Sequence, residues 1–216
     1  MLKLNSREII AKRIAQELKE GDVVNLGVGI PTLVASFLED KTVYFQSENG
    51  LIGMGPPPAS EELDIDLIDA GKNPTTLAKG AALFHSADSF AMIRGGHVDA
   101  AILGTLQVDR HGEIANWAVP NQPILGVGGA MDLVVGAKKL IVAATLFTKN
   151  DSPKLVEKLT YKSTGERKAD LFVTEYAAFT FSEEGIKVID LYGDLTIDEL
   201  SEKLSLPLVS EIQTIK

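Results

Sequence analysis

The sequence contains no cysteine, and this absence removes several kinds of chemistry at once. A disulfide scaffold, a zinc–thiolate site and a cysteine nucleophile all need thiols that the 216 residues do not supply. No apolar run approaches the roughly 18 residues of a membrane-spanning helix. The first residues, Met1 to Asn5, also lack the apolar core of a signal peptide. We therefore expect a cytoplasmic protein.

Basic residues are outnumbered, with 21 Lys and Arg against 30 Asp and Glu and a formal net charge of −9. Broad binding to nucleic acid or to an anionic membrane depends on clustered basic side chains, so we expect neither kind of partner. The charge does not exclude a small anionic ligand. A pocket of backbone N–H groups with one lysine binds phosphate even in an acidic protein.

The composition and the order of patterns predict one α/β domain over residues 1–216. Hydrophobic residues make up 45% and charged residues 24%, as in ordinary globular proteins, and the length suits one buried core. Helical and strand patterns alternate along the chain. This alternation predicts a three-layer α/β/α fold around a mixed, mostly parallel sheet.

The first helix is predicted over residues 6–20, where large aliphatic side chains recur at helical spacing. Asn5 with Glu8 predicts a capping box at its start. Gly21 is placed to end the helix.

A strand–helix–strand unit follows and ends in polar residues. A buried strand is predicted over 22–26, a helix from Pro31 to about residue 38, and a second strand over 42–46. The chain then turns at 47–50, at the carboxyl end of a strand, where open α/β sheets bind ligands. Residues 53–69 are expected to form a long ordered loop. Further strands, a hairpin and two helices are predicted at 98–103, 106–117, 126–134, 140–144, 171–174, 187–191 and from 196.

Several catalytic motifs are missing. Gly-x-Ser-x-Gly and the Walker pattern do not occur, and Thr32 stands where a dinucleotide fingerprint needs its third glycine. His85, His97 and His111 are widely spaced. His97 with Asp99 is a weak candidate for a metal pair, and we favour His97 as a residue that bonds the adjacent glycine turn.

Glu48 is the carboxylate that most needs an explanation. It lies between two apolar segments, and a poorly solvated carboxylate is paired, protonated or used in chemistry. Ser-Glu-Asn-Gly is also an ordinary turn sequence, in which glycine adopts positive φ. The residues alone leave both interpretations open.

A set of sequence blocks resembles the β subunit of class I (3-oxoacid) coenzyme A transferases. The blocks occur in the family's order over about residues 6–145, with a weaker match to the C-terminus. They are Asn25-Leu26-Gly27-Val28-Gly29-Ile30-Pro31, Gln46-Ser47-Glu48-Asn49-Gly50, Asp69-Ala70-Gly71-Lys72, residues 88–99, Ala115-Asn116-Trp117 and Gly128-Gly129-Ala130-Met131-Asp132-Leu133.

The resemblance implies roles for single residues. Glu48 would be the nucleophile that carries coenzyme A as a glutamyl thioester, and Gly129 would supply a backbone donor to the oxyanion. Five further residues would contribute to the coenzyme A site: Asn25, Gly27, Gly29, Lys72 and Asn73. No metal or resident cofactor is implied, since the coenzyme A thioester is itself the substrate.

The resemblance also implies a partner and a reaction. The family's catalytic unit includes an α subunit, so we expect an α2β2 complex. The expected reaction moves coenzyme A from succinyl-CoA or acetyl-CoA to a 3-oxoacid or a short carboxylic acid. An acyl-CoA hydrolase, or a non-catalytic sensing or partner subunit of the same fold, remains as an alternative.

Two segments depart from the family pattern. Ala144-Thr145-Leu146-Phe147-Thr148 stands where Met-x-His-Thr is common, and Thr160-Tyr161-Lys162-Ser163-Thr164-Gly165 stands where many members have Leu-Pro-Leu-Thr-Gly. These departures leave the acyl donor, the acceptor and the subunit contacts open. We expect Asn116 and Trp117 to serve packing, and Arg94 to order the adjacent glycine turn.

Overall fold

The computed structural model describes residues 4–120, 122–123 and 126–212. The expectation about a signal peptide rests partly on residues 1–3, outside these ranges. The helices are α1 Ser6–Ala15, α2 Ser86–Arg94, α3 Ala130–Gly136 and α4 Ile197–Leu204, with 3₁₀ helices at Pro31–Phe37 and Ser60–Glu62. The strands are β1 Val23–Leu26, β2 Tyr44–Ser47, β3 Leu51–Met54, β4 Leu77–Leu83, β5 Ala100–Gly104, β6 Gln107–Asp109, β7 Ile114–Ala115, β8 Lys139–Ala143, β9 Leu155–Val156, β10 Leu171–Val173, β11 Ala177–Ser182, β12 Gly185–Leu191 and β13 Leu208–Ser210.

A ten-stranded mixed sheet runs through the molecule in the order β13-β12-β11-β10-β8-β5-β1-β2-β3-β4. The five central strands, β10, β8, β5, β1 and β2, are parallel to one another. Antiparallel hairpins extend the sheet on both sides, and β13 adds a parallel edge. Strands β6, β7 and β9 form a separate three-stranded sheet. The predicted mixed, mostly parallel sheet is thereby confirmed.

Two hydrophobic cores cover the two faces of the central strands. Along β8, Leu140 and Val142 join one core, while Ile141 and Ala143 join the other. Successive side chains of a strand point to opposite faces, so a strand covered on both faces is apolar throughout. Helix α1 packs on one face, and α2, α3 and α4 pack on the other. This arrangement is the predicted three-layer α/β/α fold.

The order in which the chain adds parallel strands to the sheet changes direction at β1. From β1 the chain crosses to β2 through the 3₁₀ helix at Pro31–Phe37, whereas β5 pairs with the opposite edge of β1. In open α/β sheets, ligands bind outside the carboxyl ends of the strands at such a switch point. The turns after β1, β2 and β5 therefore frame the region where a site is expected.

The capping box at the first helix is confirmed, but the predicted length of that helix is wrong. Asn5 Oδ1 accepts from the backbone N–H of Glu8 at 3.1 Å, and Glu8 Oε2 accepts from Asn5 N at 2.8 Å. The helix ends at Ala15, five residues before the predicted end. Leu18 is still buried, so the apolar spacing continues through irregular backbone that packs on the same core.

The sequence-based prediction missed the outer part of the sheet. The predicted helix from Pro31 is a 3₁₀ helix. The predicted loop at 53–69 starts too early, because residues 53 and 54 belong to β3, and it contains the 3₁₀ helix Ser60–Glu62 before the chain reaches β4. Strand β4 is exposed at nearly every position, so it lacks the apolar alternation that identifies a half-buried strand. Helix α2 was missed because only Ser89 and Ile93 of its nine residues are buried.

We predict that Gly136→Ala destabilises the fold, against its helix propensity. Alanine favours a helix over glycine by about 1 kcal/mol. A Cβ at position 136, however, would collide with the backbone oxygen of Ile93, where α3 meets α2. Because backbone cannot move aside, we expect a loss of about 1–3 kcal/mol in the free energy of unfolding, measured by urea denaturation.

Val135→Ala is the matched control, because Val135 is 67% exposed in the same helix. Its change should stay within about 0.5 kcal/mol. A Gly136→Ala protein that unfolds at the same urea concentration as the Val135→Ala protein would contradict the close approach of the two helices.

Candidate active site

Glu48 lies in the tight turn between β2 and β3. Ser47 pairs with Leu51 across the hairpin, and Gly50 N donates to Ser47 O at 3.0 Å. Gly50 has a φ of 119°, and a Cβ there would collide with the backbone oxygen of Phe84 after β4. Only glycine lets the turn close against that strand, so position 50 fixes the direction in which Glu48 leaves the sheet.

A chain of buried polar groups lies beneath the Glu48 turn. Asn25 Nδ2 donates to Gln46 Oε1 at 2.7 Å, and Gln46 Nε2 donates to Ser89 Oγ at 2.7 Å. Ser89 Oγ in turn donates to the backbone oxygen of Ser47 at 3.4 Å. Asn25 and Gln46 are 2% exposed and Ser89 is 0% exposed. Buried polar groups are costly unless paired, so this chain ties β1, β2 and α2 into one arrangement under the carboxylate.

The Glu48 carboxylate meets the backbone of Gly129, the residue that precedes α3. A Cβ built on Gly129 would lie 2.8 Å from Glu48 Oε1, 2.9 Å from its Cδ and 3.3 Å from Phe90 Cε1. No side chain fits in that space. The fold therefore brings Glu48 and Gly129, which come from opposite sides of the switch point, into direct contact.

The environment raises the pKa of Glu48 above its ordinary value. Burial is the largest cause, and the negative charge of Asp132 adds to it. The Asn25 side chain and the Gly129 backbone N–H favour the charged form and offset part of the rise. Glu48 is thus a desolvated carboxylate that keeps two polar groups beside it and has no cationic partner among the described residues.

Arg94 holds α2 to α3 next to this contact. Its Nε lies 2.7 Å from Asp132 Oδ1, and its guanidinium carbon lies 5.6 Å from the centre of the Phe90 ring. We expected Arg94 to order the adjacent glycine turn, and the structure instead gives it a partner on α3. The pair positions Asp132, whose charge acts on Glu48.

The loop 67–76 is bonded to both sides of the Glu48 turn. Ser47 Oγ accepts from the backbone N–H of Ala70 at 2.8 Å, and Asn49 Nδ2 donates to the backbone oxygen of Ile68 at 2.8 Å. The two residues that flank Glu48 therefore fix this loop at the carboxyl end of β2.

Most residues expected to bind coenzyme A lie around the exposed side chain of Val28. A Cβ built on Gly71 would lie 3.1 Å from Val28 Cγ2, so the loop of Lys72 and Asn73 lies close to the turn after β1. Lys72 is exposed and has a φ of 65°. Asn73 uses its amide on the Asp69 carboxylate at 3.1 Å, so its side chain closes the loop.

Gly27 and Gly29 have different local reasons to be glycine. Gly27 N donates to Ile102 O at 2.8 Å, and a Cβ there would meet that same oxygen at 3.1 Å. Gly29 has a φ of 99°. Asn25, by contrast, is buried and bonded to Gln46, so it lies under Glu48 rather than on the exposed edge. The binding roles of all these residues stay predictions.

A cavity of about 310 Å³ adjoins the turn before α3. Its wall includes Ala130, the residue after Gly129. Asn116 and Trp117, which we expected to serve packing, line it. The described residues that line it are Asn116, Trp117, Val119, Gln122, Pro123, Gly126, Val127 and Ala130.

The described residues hold no cluster of three or more His, Asp or Glu side chains that could bind a metal ion. His85 caps α2, its Nδ1 accepting from Ala87 N at 3.0 Å. In the same part of the chain, no helix is long and apolar enough to cross a bilayer.

The sequence patterns did not assign roles to Ser89 or Asp132, although both lie in the quoted blocks. Ser89 is a fully buried serine whose position in α2 was not recognised, and Asp132 acts on Glu48 through space. Gln46 lies at the end of β2 and bonds Ser89, and its polar side chain at the end of a buried strand is the sequence signal for this role.

Comparisons with known proteins match one family over nearly the whole chain. A sequence model described as coenzyme A transferase matches residues 7–203. The B subunit of succinyl-CoA:3-ketoacid coenzyme A transferase from Helicobacter pylori is 48% identical over 197 residues, which are 91% of this chain and 95% of the relative. The B subunit of 3-oxoadipate CoA-transferase from Pseudomonas putida is 47% identical over 205 residues, 94% of this chain and 96% of the relative.

A solved structure shares the fold but is longer. The apoenzyme of the acyl-CoA transferase YdiF from Escherichia coli O157:H7 matches with a TM-score of 0.76 and 25% identity, covering 98% of this chain and 43% of that one. This chain thus spans less than half of YdiF, but nearly the full length of the two bacterial relatives. Since the family model covers most of the sequence and these relatives are nearly half identical over their length, the chain belongs to the coenzyme A transferase family, as a subunit of the β type.

Proposed function

We propose that this chain is the glutamate-bearing β subunit of an enzyme that transfers coenzyme A from succinyl-CoA or acetyl-CoA to a 3-oxoacid or a short carboxylic acid. The observation that carries the proposal is the contact between the Glu48 carboxylate and the Gly129 backbone. Glu48 is the nucleophile, and Gly129 N–H is a donor to the oxyanion that forms when a carbonyl beside it is attacked.

The chemistry needs a carboxylate that is charged but poorly solvated. Glu48 attacks the thioester carbonyl, and collapse of the adduct expels the coenzyme A thiolate and leaves an acyl-glutamyl anhydride. The thiolate then attacks the glutamyl carbonyl, expels the first acid as its carboxylate and forms the glutamyl-CoA thioester. The second acid repeats these steps in reverse order. Both leaving groups depart as anions, so no general acid is needed.

Two features of the site support this use of Glu48. Burial weakens the hydration of the carboxylate and makes it more reactive than a solvated one, while Asn25 and Gly129 keep it oriented. The buried chain beneath it holds the turn rigid, which keeps the reacting atom in one position.

The proposed partner is an α subunit in an α2β2 assembly. The two bacterial relatives carry names that make each of them one subunit of a larger enzyme, and this chain covers only 43% of the acyl-CoA transferase YdiF. A chain that covers this share of YdiF corresponds to about one half of such a catalytic unit. We propose that the α subunit completes the substrate pocket over Glu48 and excludes water from the glutamyl thioester, which would otherwise hydrolyse.

We predict that Glu48→Gln abolishes transfer without harming the fold. The assembled enzyme should lose at least about 10³-fold in kcat, because the amide is not a nucleophile. Treatment with acyl-CoA followed by peptide mass analysis should find a coenzyme A adduct on Glu48 in the wild-type enzyme alone. Glu183→Gln, at an exposed turn residue, is the matched control and should keep full activity.

The stability of the Glu48→Gln protein tests the same assignment separately. A buried carboxylate with a raised pKa is unfavourable in the folded state at neutral pH, so removing the charge should leave stability unchanged or higher. Activity that survives in Glu48→Gln, or an adduct on another residue during turnover, would refute the nucleophile.

We predict that Gly129→Ala lowers kcat by about 10²-fold, as for loss of one oxyanion donor. The new Cβ would press on Glu48 Oε1 and displace the carboxylate from the backbone N–H. Val135→Ala is the control, because Val135 is 67% exposed near the other end of the helix that Gly129 precedes. Equal activity of the two variants in steady-state kinetics would argue against the Gly129 role.

We predict that kcat/KM falls on acidification with a pKa above the ordinary glutamate value of about 4.3. The charged form of Glu48 attacks, and burial raises its pKa, so protonation removes the nucleophile at a higher pH than for an exposed glutamate. The same shift means that ionised Glu48 destabilises the fold. This penalty is complete above the raised pKa of the folded state, shrinks as the pH falls and is absent below the unfolded pKa of about 4.3, so this group does not cause acid unfolding. An acidic limb at or below about 4.3 would contradict the desolvated carboxylate.

A further inference from the structure

The ring of Phe90 borders the contact between Glu48 and Gly129. A Cβ built on Gly129 would lie 2.8 Å from Glu48 Oε1 and 3.3 Å from Phe90 Cε1. Among the described residues, leaving aside 128 and 130, these two side chains are the nearest to that point. An aromatic ring takes up space without replacing the hydrogen bonds of water. Phe90 is therefore part of the apolar surroundings that desolvate the carboxylate.

Buried hydrogen bonds fix the helix that carries Phe90 relative to the Glu48 turn. Ser89, the residue before Phe90 in α2, is 0% exposed. Its Oγ accepts from Gln46 Nε2 at 2.7 Å and donates to the backbone oxygen of Ser47 at 3.4 Å. Because both partners lie at the end of β2, α2 cannot slide along the sheet without leaving buried polar groups unpaired. The position of the ring beside the turn is thereby set.

Arg94 restrains the ring from one turn further along α2. Side chains four residues apart are neighbours on a helix, and the Arg94 guanidinium carbon lies 5.6 Å from the centre of the Phe90 ring. Arg94 Nε is held in turn by Asp132 Oδ1 of α3, at 2.7 Å. The ring quadrupole attracts a cation placed over its face. Phe90 is only partly buried where it packs against the core, so this contact adds to its restraint.

A fixed apolar group at this point matters because the proposed glutamyl-CoA intermediate can be hydrolysed. Water would add to the glutamyl carbonyl carbon, and the bond between that carbon and sulfur would break. The Glu48 carboxylate would be regenerated, and coenzyme A would leave as the thiol. One proton of the water would go to the sulfur and the other to the solvent. Each such event would consume a thioester without transfer.

We propose that Phe90, restrained by Arg94, keeps water away from the glutamyl thioester at Glu48 and so favours transfer of coenzyme A over its hydrolysis. The proposal rests on the proposed function. Phe90 forms no bond to the reacting atoms, and it acts by limiting which nucleophile reaches Glu48. Since the ring belongs to this chain, it is the contribution of the β subunit to the enclosure that the α subunit completes.

The test measures how long the Glu48 adduct survives without an acceptor. The enzyme assembled with its α subunit is loaded with succinyl-CoA or acetyl-CoA, and gel filtration removes the excess thioester and the released acid. Loss of the coenzyme A mass from the Glu48 peptide is then followed over time. The adduct of Phe90→Ala should decay about tenfold faster than that of the wild-type enzyme, because truncation of the ring makes room for water. Phe90→Leu keeps an apolar side chain of similar size and should stay within about twofold.

A second measurement separates the exclusion of water from a general defect of the site. Returning the same acid, succinate or acetate, to the isolated adduct regenerates the acyl-CoA, and the rate of this step reports transfer. It should stay within about twofold in Phe90→Ala, because the ring makes no bond to the reacting atoms. Decay is followed on the adduct itself, so a lower yield of folded protein does not alter the rate. If Phe90→Ala does not assemble, Phe90→Val is measured in its place and should decay about fivefold faster than wild type.

Met92→Ala is the matched control, because Met92 lies in the same helix and is 36% exposed, and it should change neither rate. If the Glu48 adduct forms in Phe90→Ala but decays as slowly as in wild type, the Phe90 assignment is overturned and the proposed function stands. A variant that changes decay and transfer by the same factor would overturn the assignment in the same way. If no adduct forms on Glu48 in the wild-type enzyme during turnover, the proposed function fails, and the assignment of Phe90 fails with it.

Discussion

The contact of one carboxylate with one backbone amide sets the requirements for much of this structure. For Glu48 to touch Gly129, the hairpin after β2 and the turn before α3 must reach the same point from opposite sides of the sheet's switch point. Gly50 closes the hairpin, and Gly136 lets α3 approach α2. The central parallel strands hold both turns in fixed positions at one end of the sheet. A carboxylate left without a cation in such a place is costly to the fold, which is the usual condition of a group kept for chemistry.

The inner strands could be predicted from the sequence because each is an unbroken apolar run. β5, β8 and β10 are covered on both faces, and nothing but a buried strand or a buried helix explains such a run. The outer strands escaped prediction for the opposite reason. β4 is exposed and rich in small residues, so its pairing with β3 is decided by the hairpin and by contacts far along the chain. Local pattern carries no information about such pairing.

The candidate site was predicted unevenly. Sequence spacing alone gave only a poorly solvated carboxylate at Glu48, and family resemblance added Gly129 and the residues near Val28. Neither identified the buried hydrogen-bonded side chains beneath the Glu48 turn. Gln46 and Ser89 look ordinary in sequence, and their bond joins a strand to a helix that was itself not predicted. Asn25 was expected at the ligand and is found buried, where its amide serves the turn that carries Glu48. Long-range hydrogen bonds of this kind depend on the completed fold.

The buried chain of Asn25, Gln46 and Ser89 has a consequence for how this protein can diverge. Each of these side chains is hydrogen-bonded to the next. A substitution at one position therefore leaves a buried donor or acceptor at another position without a partner. Substitutions at these three positions are therefore expected to be epistatic: a single step lowers fitness, while a compensated set restores it.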